Sequence, residues 1–380
     1  MLQKKNKIKV VFTGGGTGGH IFPIIAIVRE IRRLRPQKEI LFYFIGPKDN
    51  LASFYFPKEG IKNKFIFAGK LRRYNNFFSF FQNLFDFLKI PIGFIQSFFL
   101  LLFIRPKIVF SKGGYGSIPV NLAAFILRIP IFLHESDIIP GAANKLFFKM
   151  ALQVFNSFLI TPLFPQEKTI VIGNPIRREL LLGSKEEAIK KFVLSGERPV
   201  ILVLGGSQGA KRINEKIVQS LVFLMDEFEI IHQTGILDYE RTKRMTELLL
   251  KPSQKKYYHI YPFLDEKALS HAYAVSDLII SRAGSGSIFE IAAVKKPSIL
   301  IPLPESANEH QLRNAYYYSA KGACVVLEEE NFTPIFFAGK IKELFSKKEN
   351  LEKMAKAAEE FARPLAGKVI AAYFLEYFLK

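Results

Sequence analysis

The sequence predicts an α/β protein made of two similar domains, each built on a parallel sheet. The chain has 380 residues, about the length of two ordinary domains. Short β-branched or aromatic runs alternate with helical stretches from end to end. Each half also opens with a strand, a glycine loop and a helix, starting at Ile8 and at Val200. We therefore predict two Rossmann-like domains in tandem, with parallel sheets facing a cleft.

The strands are predicted at short apolar runs bounded by glycine, proline or charged residues. In the first half these runs are 8–12, 40–45, 64–67, 108–110, 131–133 and 153–155. In the second half they are 200–204, 230–232, 257–260, 278–280, 298–301 and 323–327. The pattern breaks at Gly173-Asn174-Pro175, which places a domain boundary near residues 172–176. The last helix, 365–379, is expected to pack back on the first domain, so the predicted domains are 1–173 with 364–380, and 174–363.

Composition narrows the class of protein. Hydrophobic residues make up 49% of the chain and charged residues 23%, which excludes a disordered protein. A single cysteine, Cys324, excludes a disulfide framework and fits a reducing cytoplasm. The uncharged apolar run 90–104 is short for a membrane span and contains Pro91 and Gly93. Because no signal-peptide pattern precedes the first strand, we expect a soluble cytoplasmic protein.

The net charge of +20 is unevenly distributed along the chain. Residues 1–173 carry 24 basic and 8 acidic side chains, a net +16, whereas residues 174–380 carry 30 and 26, a net +4. This asymmetry indicates a polyanionic partner of the first half, either nucleic acid or an anionic membrane surface. A general bias toward Lys, Ile and Phe is the alternative, and it explains the total charge better than the asymmetry.

A helix over residues 77–89 would have an apolar face wider than the stripe a core-facing helix needs. With the preceding basic residues, this face predicts a reversible membrane anchor. The residues expected at the membrane are Arg72, Arg73, Phe81, Leu84, Phe85 and Leu88. The alternative is burial of the wide face against the sheet, which we do expect for the more uniformly apolar segment 92–104.

Four glycine loops lie where the end of a strand meets the start of a helix. They are Gly14–Gly19, Gly113–Gly116, Gly205–Ala210 and Gly284–Ser287. Such loops present backbone N–H groups and a helix N-terminus to an anion, at the edge where parallel sheets bind ligands. One loop alone could be merely a tight turn. Four loops in two domains favour a pair of substrates of which at least one carries a diphosphate.

Gly14, Gly16 and Gly19 also satisfy the G-x-G-x-x-G pattern of dinucleotide-binding dehydrogenases. That pattern requires an acidic residue near the end of the second strand to hold a ribose. Here the strand ends at Gly46 and Pro47, and Asp49 comes only in the following loop. The sequence therefore disfavours a dehydrogenase.

Two single residues each have two interpretations. Glu290 completes a capping box with Ser287, or its carboxylate accepts hydrogen bonds from the two hydroxyls of a ribose. His20 closes the first glycine loop and is either a hydrogen-bonding strut or a proton-transfer group. No Asp-x-Asp, His-x-x-x-His or paired-cysteine spacing supports a metal site.

Eight motifs occur in the order typical of one enzyme family. They are Gly15-Gly-Thr-Gly-Gly-His20 with Pro23, Ser111-Lys-Gly-Gly-Tyr115, His134-Glu135 with Gly141–Lys145, Gly173–Arg177, Gly205–Ala210, His232–Gly235, Ser281–Glu290, and His310-Gln311 with Asn314-Ala315. On these motifs the chain resembles the MurG family of GT-B type glycosyltransferases. Members of this family add N-acetylglucosamine to the lipid-linked muramoyl-pentapeptide precursor of peptidoglycan.

The resemblance implies a UDP-sugar site in the C-terminal domain and an acceptor and membrane site in the N-terminal domain. Thr17, Gly18 and Gly19 would contact the donor and face the acceptor diphosphate. The other expected donor contacts are Asp137, Arg177, Ser207, Gln208, Leu264, Ser285, Gly286, Ser287, Ile288, Phe289, Glu290 and Gln311. The expected acceptor contacts are Gly16, Gly113, Gly114, Tyr115 and Asn144. His20 would be the catalytic base, with Glu135 as the second choice, and Glu290 would take the ribose hydroxyls.

The implied reaction is inverting transfer of N-acetylglucosamine from UDP-N-acetylglucosamine to the C4 hydroxyl of lipid I, at the cytoplasmic face of the membrane. We expect no metal ion or other cofactor, an anionic membrane surface as a partner instead of nucleic acid, and contacts with cell-wall synthesis proteins. Two residues depart from the family pattern. Asp137 stands where the family usually has Asn, and Gly116 stands where it usually has Val. We expect the Gly116 replacement to loosen the second acceptor loop. The alternatives are another glycolipid glycosyltransferase such as a diacylglycerol sugar transferase, a UDP-sugar epimerase, and a non-catalytic UDP-sugar-binding membrane protein.

Overall fold

Strands and helices alternate along the computed structural model, which describes residues 7–37, 39–69, 77–159, 164–205 and 210–379. The first half contains β1 (Ile8–Thr13), α1 (Gly18–Leu34), β2 (Ile40–Gly46), α2 (Asn50–Lys58), β3 (Ile61–Phe65), α3 (Phe77–Ile104), β4 (Ile108–Ser111), α4 (Ile118–Ile126), β5 (Ile131–Glu135), α5 (Ala142–Phe147), β6 (Gln153–Asn156) and β7 (Thr169–Val171). The second half contains α6 (Lys185–Phe192), β8 (Val200–Leu204), α7 (Lys211–Leu224), β9 (Glu229–Gln233), α8 (Tyr239–Leu249), α9 (Pro252–Lys255), β10 (Tyr258–Tyr261), α10 (Glu266–Val275), β11 (Leu278–Ser281), α11 (Ser285–Ala293), β12 (Ser298–Leu300), α12 (His310–Ser319), β13 (Cys324–Val326), α13 (Pro334–Ser346), α14 (Lys348–Phe361) and α15 (Ala366–Leu379).

The described residues of the first half form a seven-stranded parallel sheet in the order β3-β2-β1-β4-β5-β6-β7. Successive side chains of a strand point to opposite faces of the sheet. On β1, Val10 and Phe12 therefore pack with α1, α2 and α15, whereas Val11 packs with α3 and α4. Burial on both faces explains why these strands are continuous apolar runs instead of alternating ones.

The described residues of the second half form a six-stranded parallel sheet in the order β10-β9-β8-β11-β12-β13. Leu202 and Leu204 of β8 pack on the side of α10, α11 and α12. Ile201 and Val203 pack on the side of α7 and α13. In both sheets the first strand of its half, β1 or β8, is the third strand of the sheet, and the order of strands reverses beside it.

The chain divides into two compact units, Met1–Pro175 with Leu365–Lys380, and Ile176–Pro364. We call them the first unit and the second unit. The C-terminal helix α15 belongs to the first unit and packs against α1. Its Phe374 ring lies 5.5 Å from that of Phe110 and 5.4 Å from that of Phe132. The predicted two-domain α/β fold and the return of the last helix are both confirmed.

Two strand predictions differ from the structure. The strand expected at 64–67 lies at Ile61–Phe65, where it pairs with β2 at the edge of the sheet. An edge strand exposes one side to solvent and tolerates Lys62 and Lys64, which concealed it in the sequence. Strand β7 (Thr169–Val171) was not predicted, because three residues at the opposite edge carry too short a pattern.

Helix α3 exposes apolar side chains along one face. Leu88, Ile92, Ile95, Phe99 and Phe103 are spaced three or four residues apart and are 55, 49, 54, 51 and 77% exposed. We call these five residues the α3 apolar face. The prediction that segment 92–104 is buried was therefore wrong for this side of the helix. Only the opposite side, which includes Ser97 and Leu101, is buried, because one face of α3 suffices to cover the sheet.

Helix α4 packs against α3 and also carries exposed apolar residues, namely Leu122, Phe125 and Ile126. Within the described residues, no helix is both long enough and apolar enough to span a membrane. Of the six predicted membrane residues, only Leu88 has a described side chain. Arg72 and Arg73 lie outside the described residues, and Phe81, Leu84 and Phe85 lie on α3 with side chains that are not described.

Candidate active site

In the first unit, three neighbouring strands deliver most of the predicted site residues to one edge of the sheet. Strands β1, β4 and β5 are adjacent and parallel, so their carboxyl ends lie side by side. The glycine loop follows β1, the Gly113-Gly114 pair follows β4, and Glu135 ends β5. The Lys112 N–H donates to the Thr13 carbonyl oxygen at 2.9 Å and ties the first two loops together.

His20 lies in the first turn of α1, between these loops. Its Nδ1 is 2.9 Å from the Thr17 hydroxyl. Gly114, with φ of +78°, passes so close that a Cβ there would lie 3.3 Å from His20 Nε2. Desolvation and the charge of Lys112 lower the pKa of His20 to about 4. The imidazole is therefore neutral at pH 7, and with Nδ1–H donating to Thr17 its Nε2 has a lone pair for a proton.

Glu135 is buried and holds together the loop that follows β5. Its carboxylate accepts hydrogen bonds from the Asp137 N–H at 3.1 Å, the Gly141 N–H at 2.9 Å and the Asn144 side-chain amide at 2.9 Å. Burial, together with the Asp137 charge, raises the pKa of Glu135 to about 7. Since both carboxylate oxygens already bind donors of their own loop, the contacts favour a structural role, and His20 is the better-placed base.

Asn144 and Gly116 support the second glycine loop from behind. The Asn144 amide also donates to the His134 carbonyl oxygen at 3.1 Å, which fixes the start of α5 against the end of β5. A Cβ at position 116 would lie 2.4 Å from Pro47 Cδ and 2.5 Å from the Gly14 carbonyl oxygen. Gly116 therefore lets the loop pack tightly, and the expectation that it loosens this loop was wrong.

Lys112 is the site residue that the sequence analysis missed. Its Nζ lies 2.7 Å from His134 Nδ1, 2.7 Å from Ser136 Oγ and 3.2 Å from Asn174 Oδ1, and the residue is 3% exposed. Burial lowers its pKa to about 7, although the Glu135 and Asp137 charges raise it. A lysine is rarely buried without partners. The one available signal was its position between the end of a mostly apolar strand, Ile108–Ser111, and a glycine pair.

In the second unit, Glu290 is held by two residues from other parts of the chain. Its Oε2 accepts a hydrogen bond from the Tyr273 hydroxyl at 3.1 Å, and its Oε1 lies 3.4 Å from Arg177 Nη2. Arg177 Nη1 also pairs with Glu266 Oε2 at 3.3 Å. Burial and the Glu290 charge raise the pKa of Tyr273, so its hydroxyl stays protonated and donates. A carboxylate has about four acceptor sites, so Glu290 can still accept two hydroxyls.

The capping-box interpretation of Ser287 and Glu290 is wrong. Helix α11 starts at Ser285 with Gly284 as its N-cap, so both residues lie inside the helix. The helix starts directly beyond β11, the neighbour of β8. Its first turn, Ser285–Ser287, carries the positive end of the helix dipole and N–H groups directed toward the helix start, an arrangement that suits a phosphate.

The other residues of the second unit that were predicted to bind the donor could reach a ligand only through particular groups. Ile288 and Phe289 are buried in the core, so only their backbone is available. The Leu264 N–H donates to Gln233 Oε1 at 3.0 Å, which leaves the carbonyl oxygen of Leu264 for a nucleobase. The Leu303 N–H donates to Gln311 Oε1 at 3.1 Å, which leaves the amide NH₂ of Gln311 for a sugar. Ser207 and Gln208 lie outside the described residues.

The structure thus brings together, within the first unit, the predicted residues Gly16–His20, Gly113–Tyr115, Glu135, Asp137 and Asn144. Within the second unit it brings Arg177 to Glu290 and places Ser285–Ser287 at a helix start. Among the residues that the structure describes, no cluster of three or more His, Cys, Asp or Glu side chains is arranged to hold a metal ion.

Comparisons with known proteins identify relatives of this chain. The chain matches the models of the glycosyltransferase family 28 N-terminal domain over residues 10–156 and C-terminal domain over residues 200–369. It is 38% identical over 340 residues to the UDP-N-acetylglucosamine–N-acetylmuramyl-(pentapeptide) pyrophosphoryl-undecaprenol N-acetylglucosamine transferase of Shouchella clausii, which covers 89% of this chain and 91% of that protein. It is 36% identical to the Treponema denticola protein of the same name, over 97% of each chain. In fold it is similar to the crystal structure of Acinetobacter baumannii MurG, with a TM-score of 0.73 and 22% identity over 97% of this chain and 99% of that one.

Proposed function

The chain belongs to glycosyltransferase family 28 and, within it, to the MurG transferases, and we propose from this membership how its residues carry out the reaction. The enzyme is a hexosyltransferase that transfers N-acetylglucosamine from UDP-N-acetylglucosamine to the undecaprenyl-linked muramyl-pentapeptide, lipid I, and forms lipid II. The observation that carries this function is the identity to such transferases, 38% over 89% of the chain and 36% over 97% of it.

In the proposed reaction, the C4 hydroxyl of the acceptor sugar attacks the anomeric carbon of the donor with inversion. His20 Nε2 takes the proton of the attacking hydroxyl, because the imidazole is neutral and lies among the glycine loops. The diphosphate of the leaving UDP gains negative charge as the bond breaks. Backbone N–H groups at the start of α11 stabilise this charge through hydrogen bonds and the helix dipole. We expect Ser207 and Gln208 to contribute in the same way.

The two units have different roles in this proposal. The second unit binds the UDP-sugar: Glu290 accepts the ribose hydroxyls, the Leu264 carbonyl meets the uracil, and Gln311 contacts the sugar. The first unit binds the acceptor diphosphate through the Thr17–Gly19 and Gly113–Gly114 loops. Asp137 follows the buried Glu135 on the same loop, where an ionised carboxylate can only accept hydrogen bonds. The donor sugar must therefore present a hydroxyl or amide N–H to it.

The first unit also carries the proposed membrane contact. The α3 apolar face is exposed, and unpaired apolar faces of this kind mark membrane or protein contacts. Exposed basic residues at the ends of α3 and α4, Arg105, Lys107 and Arg128, add attraction to anionic lipid. We propose peripheral attachment at the cytoplasmic face of the membrane, where the Arg72, Arg73, Phe81, Leu84 and Phe85 segment contributes as well, and contact there with cell-wall synthesis proteins.

Radiolabelled UDP-N-acetylglucosamine tests the function directly. The purified protein is offered the labelled donor with lipid I, with diacylglycerol, or without an acceptor. Transfer to lipid I alone supports the proposal. Transfer to diacylglycerol would indicate another glycolipid glycosyltransferase, and conversion of the free donor to its epimer would indicate an epimerase. Binding of the donor without any product would indicate a non-catalytic protein.

A further inference from the structure

Lys112 lies at the centre of the first unit's loops but is too deeply buried to touch a substrate. The residue is 3% exposed, and its backbone joins β4 to the end of β1. Gly14 separates it from His20, since a Cβ on Gly14 would lie 3.3 Å from Lys112 Cβ and 3.4 Å from His20 Cβ. The lysine side chain therefore lies beneath the glycine loop that carries His20.

The Lys112 ammonium binds three acceptors that come from two segments, the end of β5 with the loop after it and the segment that contains Asn174. His134 donates from Nε2 to the Gly173 carbonyl oxygen at 3.2 Å, which leaves Nδ1 to accept from Lys112. Ser136 belongs to the loop after β5. Asn174 is the second-last residue of Met1–Pro175, the longer of the two segments that make up the first unit. The ammonium has three protons, and each has one acceptor. Removing it would leave two buried polar groups, on His134 and Asn174, and one half-buried hydroxyl, on Ser136, without this partner, which is costly.

Electrostatics couple the same lysine to His20. Desolvation is the largest cause of the low pKa of His20, and the Lys112 charge is the second. The same two causes, in the same order, lower the pKa of His134. The Glu135 and Asp137 charges raise the pKa of Lys112 and so oppose the larger effect of burial, which lowers it. Among the described residues, the charged and titratable groups that interact around Lys112 are therefore His20, His134, Glu135 and Asp137.

We propose that Lys112 is a positioning residue of the transfer reaction. Its Nζ binds acceptors around the end of β5 and at Asn174, while its backbone bonds Thr13 and its Cβ lies beside Gly14 at the start of the His20 loop, so that the lysine ties these segments together. It acts through His20 and does not contact the substrates. The kinetic part of this inference rests on the proposed function, whereas the effect on His20 can be measured without any substrate.

The test is Lys112→Met, which keeps the length of the side chain and removes its charge and its donors. Lys58→Met is the matched control, because Lys58 is an exposed lysine of the same unit on α2. Lys112→Gln is the second variant, because it keeps an amide donor and still lacks the charge. For each protein, kcat and the donor KM are measured with lipid I across about pH 3.5–9, so that the acidic limb set by His20 lies within the range. The titration of His20 is followed by NMR of ¹⁵N-histidine protein and assigned with His20→Gln.

We expect Lys112→Met to lower kcat by about 10- to 100-fold, as a displaced catalytic group does, while the donor KM changes less than about twofold. The His20 titration and the acidic limb of the kcat profile should both move to higher pH, because a nearby positive charge is lost. Lys112→Gln should show the same direction of shift with a smaller loss of kcat. Lys58→Met should match the wild type in every measurement.

Two results would overturn the inference. One is a Lys112→Met protein whose kcat and His20 titration equal those of Lys58→Met. The other is a loss of activity with an unchanged His20 titration, which would show a general structural role. If Lys112→Met does not fold, the same two results are decisive for Lys112→Gln. A wild-type enzyme that does not use lipid I would refute the proposed function, and the NMR titration would still decide the role of Lys112.

Discussion

Glu290→Gln tests whether the second unit binds a ribose through this carboxylate. The substitution keeps the shape of the side chain and removes its charge. Two native contacts change with it, the Arg177 pair at 3.4 Å and the Tyr273 hydrogen bond at 3.1 Å. The amide oxygen of Gln can still accept from Tyr273, but its NH₂ group cannot accept a hydroxyl.

The expected loss follows from the hydrogen bonds that the carboxylate would make. A hydrogen bond to a charged group contributes about 1.5–3 kcal/mol, and one such bond to a ribose hydroxyl would be lost. At about 1.4 kcal/mol for each factor of ten, kcat/KM for the donor should fall by roughly 10- to 150-fold. Stability should also fall, by about 1–3 kcal/mol, because the lost pair is buried, although Arg177 keeps its pair with Glu266 at 3.3 Å.

The assay compares three variants in steady-state kinetics and thermal unfolding. Tyr273→Phe removes only the hydroxyl that donates to Glu290, and Glu266→Gln removes only the second partner of Arg177. Both should lower the melting temperature as much as Glu290→Gln does. Neither should lower donor kcat/KM by more than about threefold, because each leaves the Glu290 carboxylate in place.

Equal kinetic losses in all three variants would refute the reasoning. They would show that the Arg177 network supports the fold of the second unit and that Glu290 does not contact the donor. Normal donor kinetics in Glu290→Gln, combined with a lower melting temperature, would lead to the same conclusion.

Four further predictions concern His20, the leaving group and the α3 apolar face. His20→Ala should lower kcat by about 10²- to 10⁴-fold with donor binding retained; near-normal turnover would assign the proton to Glu135 or to water. Wild-type kcat should persist from pH 7 to about pH 5, because an imidazole with a pKa of about 4 stays neutral there and neutral imidazole is the active form; an acidic limb near the ordinary histidine pKa of about 6.5 would contradict this. Transfer should continue in excess chelator, since backbone N–H groups and a helix start stabilise the leaving UDP, and restoration of lost activity by Mg²⁺ or Mn²⁺ would disprove it. Replacing Ile92, Ile95 and Phe99 by Ser should weaken binding to anionic liposomes, more so at high salt, while Leu248→Ser, 91% exposed on α8, should not; equal binding by both would place the anchor elsewhere.

The sequence alone determined the architecture of this protein. Parallel strands buried on both faces are continuous apolar runs, such as 8–12 and 200–204, and these runs are visible without a structure. The glycine loops follow the strands directly, so their place at the carboxyl edge of each sheet follows from chain order. Edge strands were less predictable, because β3 and β7 are short and partly exposed and therefore lack the buried pattern.

Only the tertiary structure decided how particular side chains are used. Glu290 meets Arg177 and Tyr273, which lie 113 and 17 residues away along the chain, so a local motif suggested a cap instead. Lys112 is buried by segments that end near residues 13, 136 and 174, and a lysine beside glycines otherwise suggests a solvent-exposed loop. Whether the apolar residues of α3 are covered likewise depends on which neighbours reach them. Burial and pairing depend on distant segments that meet on folding, so the sequence did not predict them. Periodicity and glycine placement are local, so the sequence did predict them.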